Sequence, residues 1–87
     1  MRNEMQAILK AEMRMAAISE REHDDITQEK MAELLFMNPR SYSDIECGVT
    51  ACGALTTVLL LMRMKSPEEF LRGLRSKFDE LFNGGSV

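Results

Sequence analysis

The sequence predicts an all-α domain of five helices, and three observations support this fold class. Pro39 and Pro67 each follow a good N-cap residue, Asn38 and Ser66, a combination typical of helix starts. Apolar residues recur at intervals of three and four after these positions, as one face of an amphipathic helix requires. The single run that resembles a strand, 54–64, has no second strand-like segment to pair with.

The first three helices follow from local signals in chain order. Good helix formers predict a helix over about 3–22, followed by the charged stretch 20–25, which we interpret as a solvated turn that ends it. Thr27 is the expected N-cap of a second helix. The third helix begins at Pro39, and Gly48 is suited to the left-handed conformation that closes it.

The last two helices differ in their apolar patterns. The segment 54–64 is apolar nearly all round, which predicts a helix buried on most sides. The run Ser66–Glu69 has the form of a capping box and opens an amphipathic helix over about 66–82. A single domain is therefore expected over 1–83, with 84–87 as a tail.

Length and charge exclude several classes of protein. A chain of 87 residues forms one small domain. Its 11 basic and 14 acidic residues give a net charge of −3, which excludes a strongly basic, nonspecific binder of polyanions. The N-terminus lacks the apolar region of a signal peptide, and no stretch approaches the ~20 apolar residues of a membrane span. We expect a cytoplasmic chain that has no membrane partner.

No motif for catalysis or for metal binding is present. Cys47 and Cys52 lack the two further ligands that a zinc site requires, and we interpret them as reduced cysteines that pack in the interior. His23 stands alone in a charged stretch and is expected on the surface. We identify no Gly-rich phosphate loop and no nucleophile–base pair, so we expect no enzyme, cofactor or small-molecule ligand.

The segment 27–48 carries the most informative pattern. Two short helices joined by about three residues form the arrangement of a helix-turn-helix. The residues Thr27-Gln28-Glu29, Ala32, Leu35 and Ile45-Glu46-Cys47-Gly48 resemble the motif of the phage-repressor family, the Cro/cI-like or XRE-type regulators. This resemblance covers about 40 residues when 54–64 is included. It implies a lambda-repressor-like fold and a transcriptional regulator that binds double-stranded DNA, as a homodimer on a short palindromic operator.

Physical reasoning supports the same packing of the two helices. Ala32 is small, as a close helix crossing requires. The side chains expected to form the apolar wedge between the helices are Met31, Leu35, Tyr42 and Ile45.

The resemblance also implies individual roles. The second helix of such a motif lies in the major groove with its N-terminal residues at base edges. Arg40 is the best candidate for specificity, because its guanidinium matches O6 and N7 of guanine, worth ~1–3 kcal/mol. Gln28 is expected to bond a phosphate, and Glu46 to face inward and pair with Arg21. The expected DNA-binding residues are Gln28, Asn38, Pro39, Arg40, Ser41, Ser43 and Asp44.

Two residues depart from the family pattern. Phe36 stands where the family commonly has Gly, and Val49 where it commonly has a basic residue. The segment 27–48 contains two basic residues, Lys30 and Arg40, and four acidic ones, so its net charge is −2. This charge predicts weak nonspecific affinity for DNA and a shallow dependence of binding on salt. This charge and the aromatic residues near the C-terminus support an alternative function, a protein-interaction module on the same fold that no longer binds DNA.

The last helix is the expected site of self-association. Repressor-type domains commonly pair to read two half-sites about one helical turn apart. Apolar residues near the C-terminus either complete the core or meet a second copy. We assign the dimer contact to Phe78, Leu81 and Phe82, with a contribution from the first helix.

Overall fold

A computed structural model describes residues 1–84, and these residues form five α-helices without any strand. The all-α, five-helix prediction is confirmed. The helices are α1 (Arg2–His23), α2 (Gln28–Leu34), α3 (Pro39–Glu46), α4 (Ala54–Arg63) and α5 (Pro67–Gly84). The predicted tail began at Gly84, but this glycine is the last residue of α5; the rest of that tail, 85–87, lies outside the described residues.

The two short helices begin at the predicted caps. The Thr27 side chain accepts a hydrogen bond from the Lys30 N–H at 3.0 Å, and Asn38 Oδ1 accepts one from the Arg40 N–H at 2.8 Å. Pro39 is the first residue of α3, where its missing N–H costs no hydrogen bond. Local sequence chemistry therefore sets both helix starts.

The first three helices end in the same backbone motif. In each case a residue with positive φ follows the C-cap: Asp25 (54°), Phe36 (56°) and Gly48 (78°). The next N–H reaches back to the helix, as in Met37 N–H to the Ala32 carbonyl at 2.9 Å and Val49 N–H to the Asp44 carbonyl at 2.8 Å. This is the Schellman closure, and it turns the chain sharply between consecutive helices.

The core lies where α1, α2, α3 and α4 meet. The predicted wedge between α2 and α3 is confirmed, since its four apolar side chains are buried and Ala32 has no exposed surface. Long helices α1 and α5 pack against each other beside this core. The main buried cluster consists of Met13, Ala17, Met31, Ala32, Leu35, Tyr42, Leu60 and Met64.

The charged stretch ends α1 as predicted, since the helix stops at His23 and residues 22–25 are exposed, but two of its carboxylates also form ion pairs. Lys65 Nζ lies 2.7 Å from Asp24 Oδ1 and 3.2 Å from Glu20 Oε2, and the Lys65 N–H donates to Glu20 Oε1. Arg63 also contacts Asp24, at 3.5 Å. These ion pairs connect the end of α1 to the segment between α4 and α5.

Helix α4 is not buried on most sides, so that expectation is wrong for the single chain. Leu60 is fully buried, but Leu55, Val58 and Met62 are exposed. Apolar composition alone does not reveal whether each side of a helix has a neighbour to pack against.

Candidate nucleic-acid interface

The C-terminal end of α3 is fixed by a buried carboxylate. Arg21 donates to both oxygens of Glu46, from Nε to Oε2 at 2.7 Å and from Nη2 to Oε1 at 3.1 Å. Gln28 Nε2 donates to Glu46 Oε1 at 2.8 Å. This two-pronged contact is the strong form of a charge-assisted pair. The structure thus brings the two residues of the expected pair together and adds Gln28 to them.

Arg14 supplies a further contact that the sequence did not indicate. Its Nε donates to the main-chain carbonyl of Glu46 at 2.6 Å. Cations are favourable at the C-terminus of a helix, where carbonyl groups lack partners. Arg14 belongs to α1 and lies 32 residues earlier in the chain, so only the tertiary structure reveals this role. α1 therefore holds the end of α3 through two arginines.

The environment of Glu46 keeps it ionised. Burial by itself raises the pKa of this carboxyl, but the hydrogen bonds from Arg21 and Gln28 outweigh it and lower the pKa below its ordinary value. The same hydrogen bond to Glu46 raises the pKa of Arg21. Burial and the neighbouring carboxylate raise the pKa of Tyr42. The cluster is a charged anchor inside the fold.

The opposite end of α3 is open to solvent. Asn38, Pro39, Arg40 and Ser41 are exposed, and the Arg40 guanidinium has no hydrogen bond or ion pair within residues 1–84. Exposed cations and hydroxyls at the start of a helix can reach base edges or phosphate oxygens. The side chains of Arg40 and Ser41 are therefore available to a ligand.

Other residues expected to bind DNA are less available. Ser43 and Asp44 are half-buried, and Asn38 Oδ1 is occupied by the cap of α3. Gln28 is also half-buried, and one of its two amide hydrogens is engaged by Glu46. A phosphate contact from Gln28 would therefore use its second amide hydrogen.

The net acidic charge of 27–48 overstates the negative charge at its surface. Glu46 is neutralised in the interior by Arg21, whose side chain lies outside the counted segment. Lys30 Nζ lies 3.6 Å from Glu33 Oε1. Lys10 and Arg14 of α1 line a surface depression together with Gly48, at the end of α3. Positive charge from α1 thus supplements the few cations of the motif.

Two of the three residues assigned to the dimer contact, Phe78 and Leu81, lie at the side of α5 that meets α1. Phe78 and Leu81 are half-buried. Phe78 borders one depression with Met5 and Leu9 of α1, and Leu81 borders another with Ile8. Phe82 is 54% exposed. Part of the surface of Phe78 and Leu81 is therefore buried within the same chain and cannot contact a second copy.

Cys47, Cys52 and His23 carry side chains that can bind metals or act as nucleophiles. Cys47 is free and exposed, so the expectation that it packs in the interior is wrong. Cys52 is free and half-buried, and burial raises the pKa of its thiol. His23 is exposed. In the part of the chain that the structure describes, no three His, Cys, Asp or Glu side chains are grouped to hold a metal ion.

Among residues 1–84, no helix combines the length and apolarity needed to cross a membrane. In comparisons with known proteins, no protein-family model matches the chain, and neither a curated protein nor a solved structure matches it. The function is therefore inferred from the geometry of α2 and α3 and from the family resemblance of their residues.

Proposed function

We propose that this chain is a sequence-specific DNA-binding transcriptional regulator of the lambda-repressor-like helix-turn-helix type. It acts in the cytoplasm as a homodimer on a short palindromic operator. In this proposal α3 is the recognition helix, Arg40 reads a guanine, and Ser41 contacts phosphate or a base edge.

The observation that carries the proposal is the contrast within α3. Its C-terminal end is fixed to α1 and α2 through Glu46, whereas Arg40 at its N-terminal end is exposed and unpaired within residues 1–84. A reading helix needs a rigid support and free side chains at the end that enters the groove. The contacts of Glu46 with α1 and α2 provide such a support, and Arg40 provides a free side chain.

The charge distribution supports the same function. Because Arg21 neutralises Glu46 in the interior, the surface of the motif carries less negative charge than the residue count of 27–48 indicates. Lys10 and Arg14 lie near the C-terminal end of α3, beside Gly48, and are candidates for phosphate contacts outside the reading end. Binding still depends on few cations, so we expect a modest salt dependence.

The test is fluorescence anisotropy with duplexes from the DNA around the gene and with scrambled duplexes, at two salt concentrations. We expect tighter binding to the native fragment and weaker binding at higher salt. Arg40→Ala should reduce the preference for the native fragment by roughly 5- to 150-fold, the equivalent of ~1–3 kcal/mol. Arg72→Ala removes the same charge from an exposed position of α5 and should leave the preference unchanged.

Equal affinity for native and scrambled duplexes in the wild type and in Arg40→Ala would count against a sequence reader. Equal losses from Arg40→Ala and Arg72→Ala would show that only total charge matters.

A second candidate function is a protein-interaction module on the same fold. Phe36, in the turn between α2 and α3, is 82% exposed, and exposed aromatic side chains are enriched at protein interfaces. The acidic side chains of the same segment would favour a basic partner over DNA. A complex recovered from cell extract without DNA, and lost in Phe36→Ala, would support this function.

A further inference from the structure

The outer face of α4 carries an uncovered apolar stripe. Leu55, Val58 and Met62 are 67%, 52% and 76% exposed, whereas Leu60 has no exposed surface. At about 100° per residue, the three exposed side chains fall within about 60° of one another and opposite Leu60. We call these three residues the α4 stripe. It is a continuous surface rather than scattered apolar residues.

The side chains of α4 have the reverse of the usual arrangement, with polar ones partly buried and large apolar ones exposed. Thr56 and Thr57 are half-buried, and the Thr57 hydroxyl donates to the Gly53 carbonyl at 2.8 Å. A helix on a free surface directs its polar side chains to water and its large apolar side chains to the core. Here threonines are turned partly inward while leucine, valine and methionine face outward. This arrangement is typical of a helix with a second contact surface.

The chemistry of this surface favours a second copy of the chain. From Val49 to Met62 the sequence contains no Asp, Glu, Lys, Arg or His. A two-fold axis brings equivalent residues close together, so a charge near the axis would meet its own copy and repel it. A charged partner, by contrast, would find no complementary charge on the stripe. A charge-free apolar stripe meets the requirement of self-pairing.

The size of the surface predicts a weak dimer. The stripe exposes the equivalent of about two whole side chains in each copy, enough for the desolvated centre of an interface. A standard interface buries roughly 800 Å² on each partner, which is more than one ten-residue helix offers. We therefore expect pairing in the micromolar range.

We infer that two copies of this chain pair through their α4 stripes about a two-fold axis. This inference differs from the assignment of the dimer contact to α5. The role of this contact as the interface of the DNA-binding dimer rests on the proposed function. The pairing itself is measured without DNA, so a failure of the pairing is distinguishable from a failure of DNA binding.

The first test is sedimentation velocity from micromolar to near-millimolar protein. The wild type should change from monomer to dimer, and Val58→Glu should raise the dimer dissociation constant at least about tenfold, because it places a carboxylate in the contact. The matched control is Phe82→Glu, at a similarly exposed apolar residue on α5, which should leave the constant unchanged. Far-UV circular dichroism checks that both variants remain helical.

The inference is overturned if the wild type stays monomeric throughout, or if Phe82→Glu dissociates the dimer and Val58→Glu does not. The second test uses Val58→Cys and, as control, Phe82→Cys, each combined with Cys47→Ser and Cys52→Ser. A disulfide forms only when the two Cα atoms are within about 7 Å. We expect cross-linked dimer from Val58→Cys alone, whereas cross-linking through Phe82→Cys alone places the contact on α5.

Discussion

The two ends of α3 are held in different ways, although they are less than three helical turns apart. At the C-terminal end, the Glu46 carboxylate is bound by Arg21 and Gln28 and its carbonyl by Arg14. At the N-terminal end, the side chain of Asn38 caps the helix, and Arg40 has no side-chain partner within residues 1–84. The end without such partners can adapt to a ligand because the other end fixes the direction of the helix.

The largest expected effect comes from removing the anchor. Glu46→Ala should lower the free energy of unfolding by about 3–5 kcal/mol, because Arg21 would remain largely buried without its counter-charge. Urea unfolding of the two proteins measures this difference. Glu33→Ala is the control: Glu33 is an acidic residue of α2 whose side chain is 72% exposed, and its removal should change stability by less than about 0.5 kcal/mol. Similar losses in both variants would refute the role of Glu46 as an anchor.

The same anchor predicts a dependence of stability on pH. Because the pKa of Glu46 is lower in the folded protein than its ordinary value of 4.5, its contribution is complete above that value. It is lost as the pH falls through the lowered pKa, when the carboxyl becomes protonated. The difference in urea midpoint between the wild type and Glu46→Gln should therefore be constant at neutral pH and shrink below about pH 4.5. A difference that stays constant down to pH 3 would contradict the assignment.

A smaller effect is expected at the turn that leads into α3. Phe36 and Gly48 occupy the same position of the same closing motif, with φ of 56° and 78°, but only glycine adopts this conformation without steric cost. Phe36→Gly should be more stable to urea than Phe36→Ala by about 0.5–1 kcal/mol. Both variants remove the same exposed phenyl ring, so the comparison isolates the backbone. Equal stability would mean that the turn carries no strain.

The smallest effect on stability is expected at the open end. Arg40→Ala should change the free energy of unfolding by less than about 0.5 kcal/mol, since its guanidinium has no partner within the described chain. The measurement is the same urea titration, and it accompanies the loss of DNA preference predicted above. A loss of more than 1 kcal/mol would show that Arg40 stabilises the fold, and the contrast between the two ends of α3 would then fail.

The starts of both short helices and the end of α3 were predictable because they depend on neighbouring residues. Thr27 and Asn38 accept hydrogen bonds from residues two or three positions later, and Gly48 supplies a conformation that other residues adopt at a cost. The apolar spacing that predicted the wedge of α2 and α3 is likewise local. The pairing of Arg21 with Glu46 followed only from the family resemblance, since the two residues are 25 positions apart.

The sequence by itself determined five helices, the N-caps of α2 and α3 and the inward face of the α2–α3 pair, because hydrogen bonding and apolar period act within a few residues. Only the tertiary structure decided that Gln28 binds Glu46, that Arg14 caps α3 from another helix, and that α1 covers part of α5. It alone also left the stripe of α4 exposed. Such outcomes depend on which surfaces meet across the chain, and a run of apolar residues carries no information about what lies opposite to it.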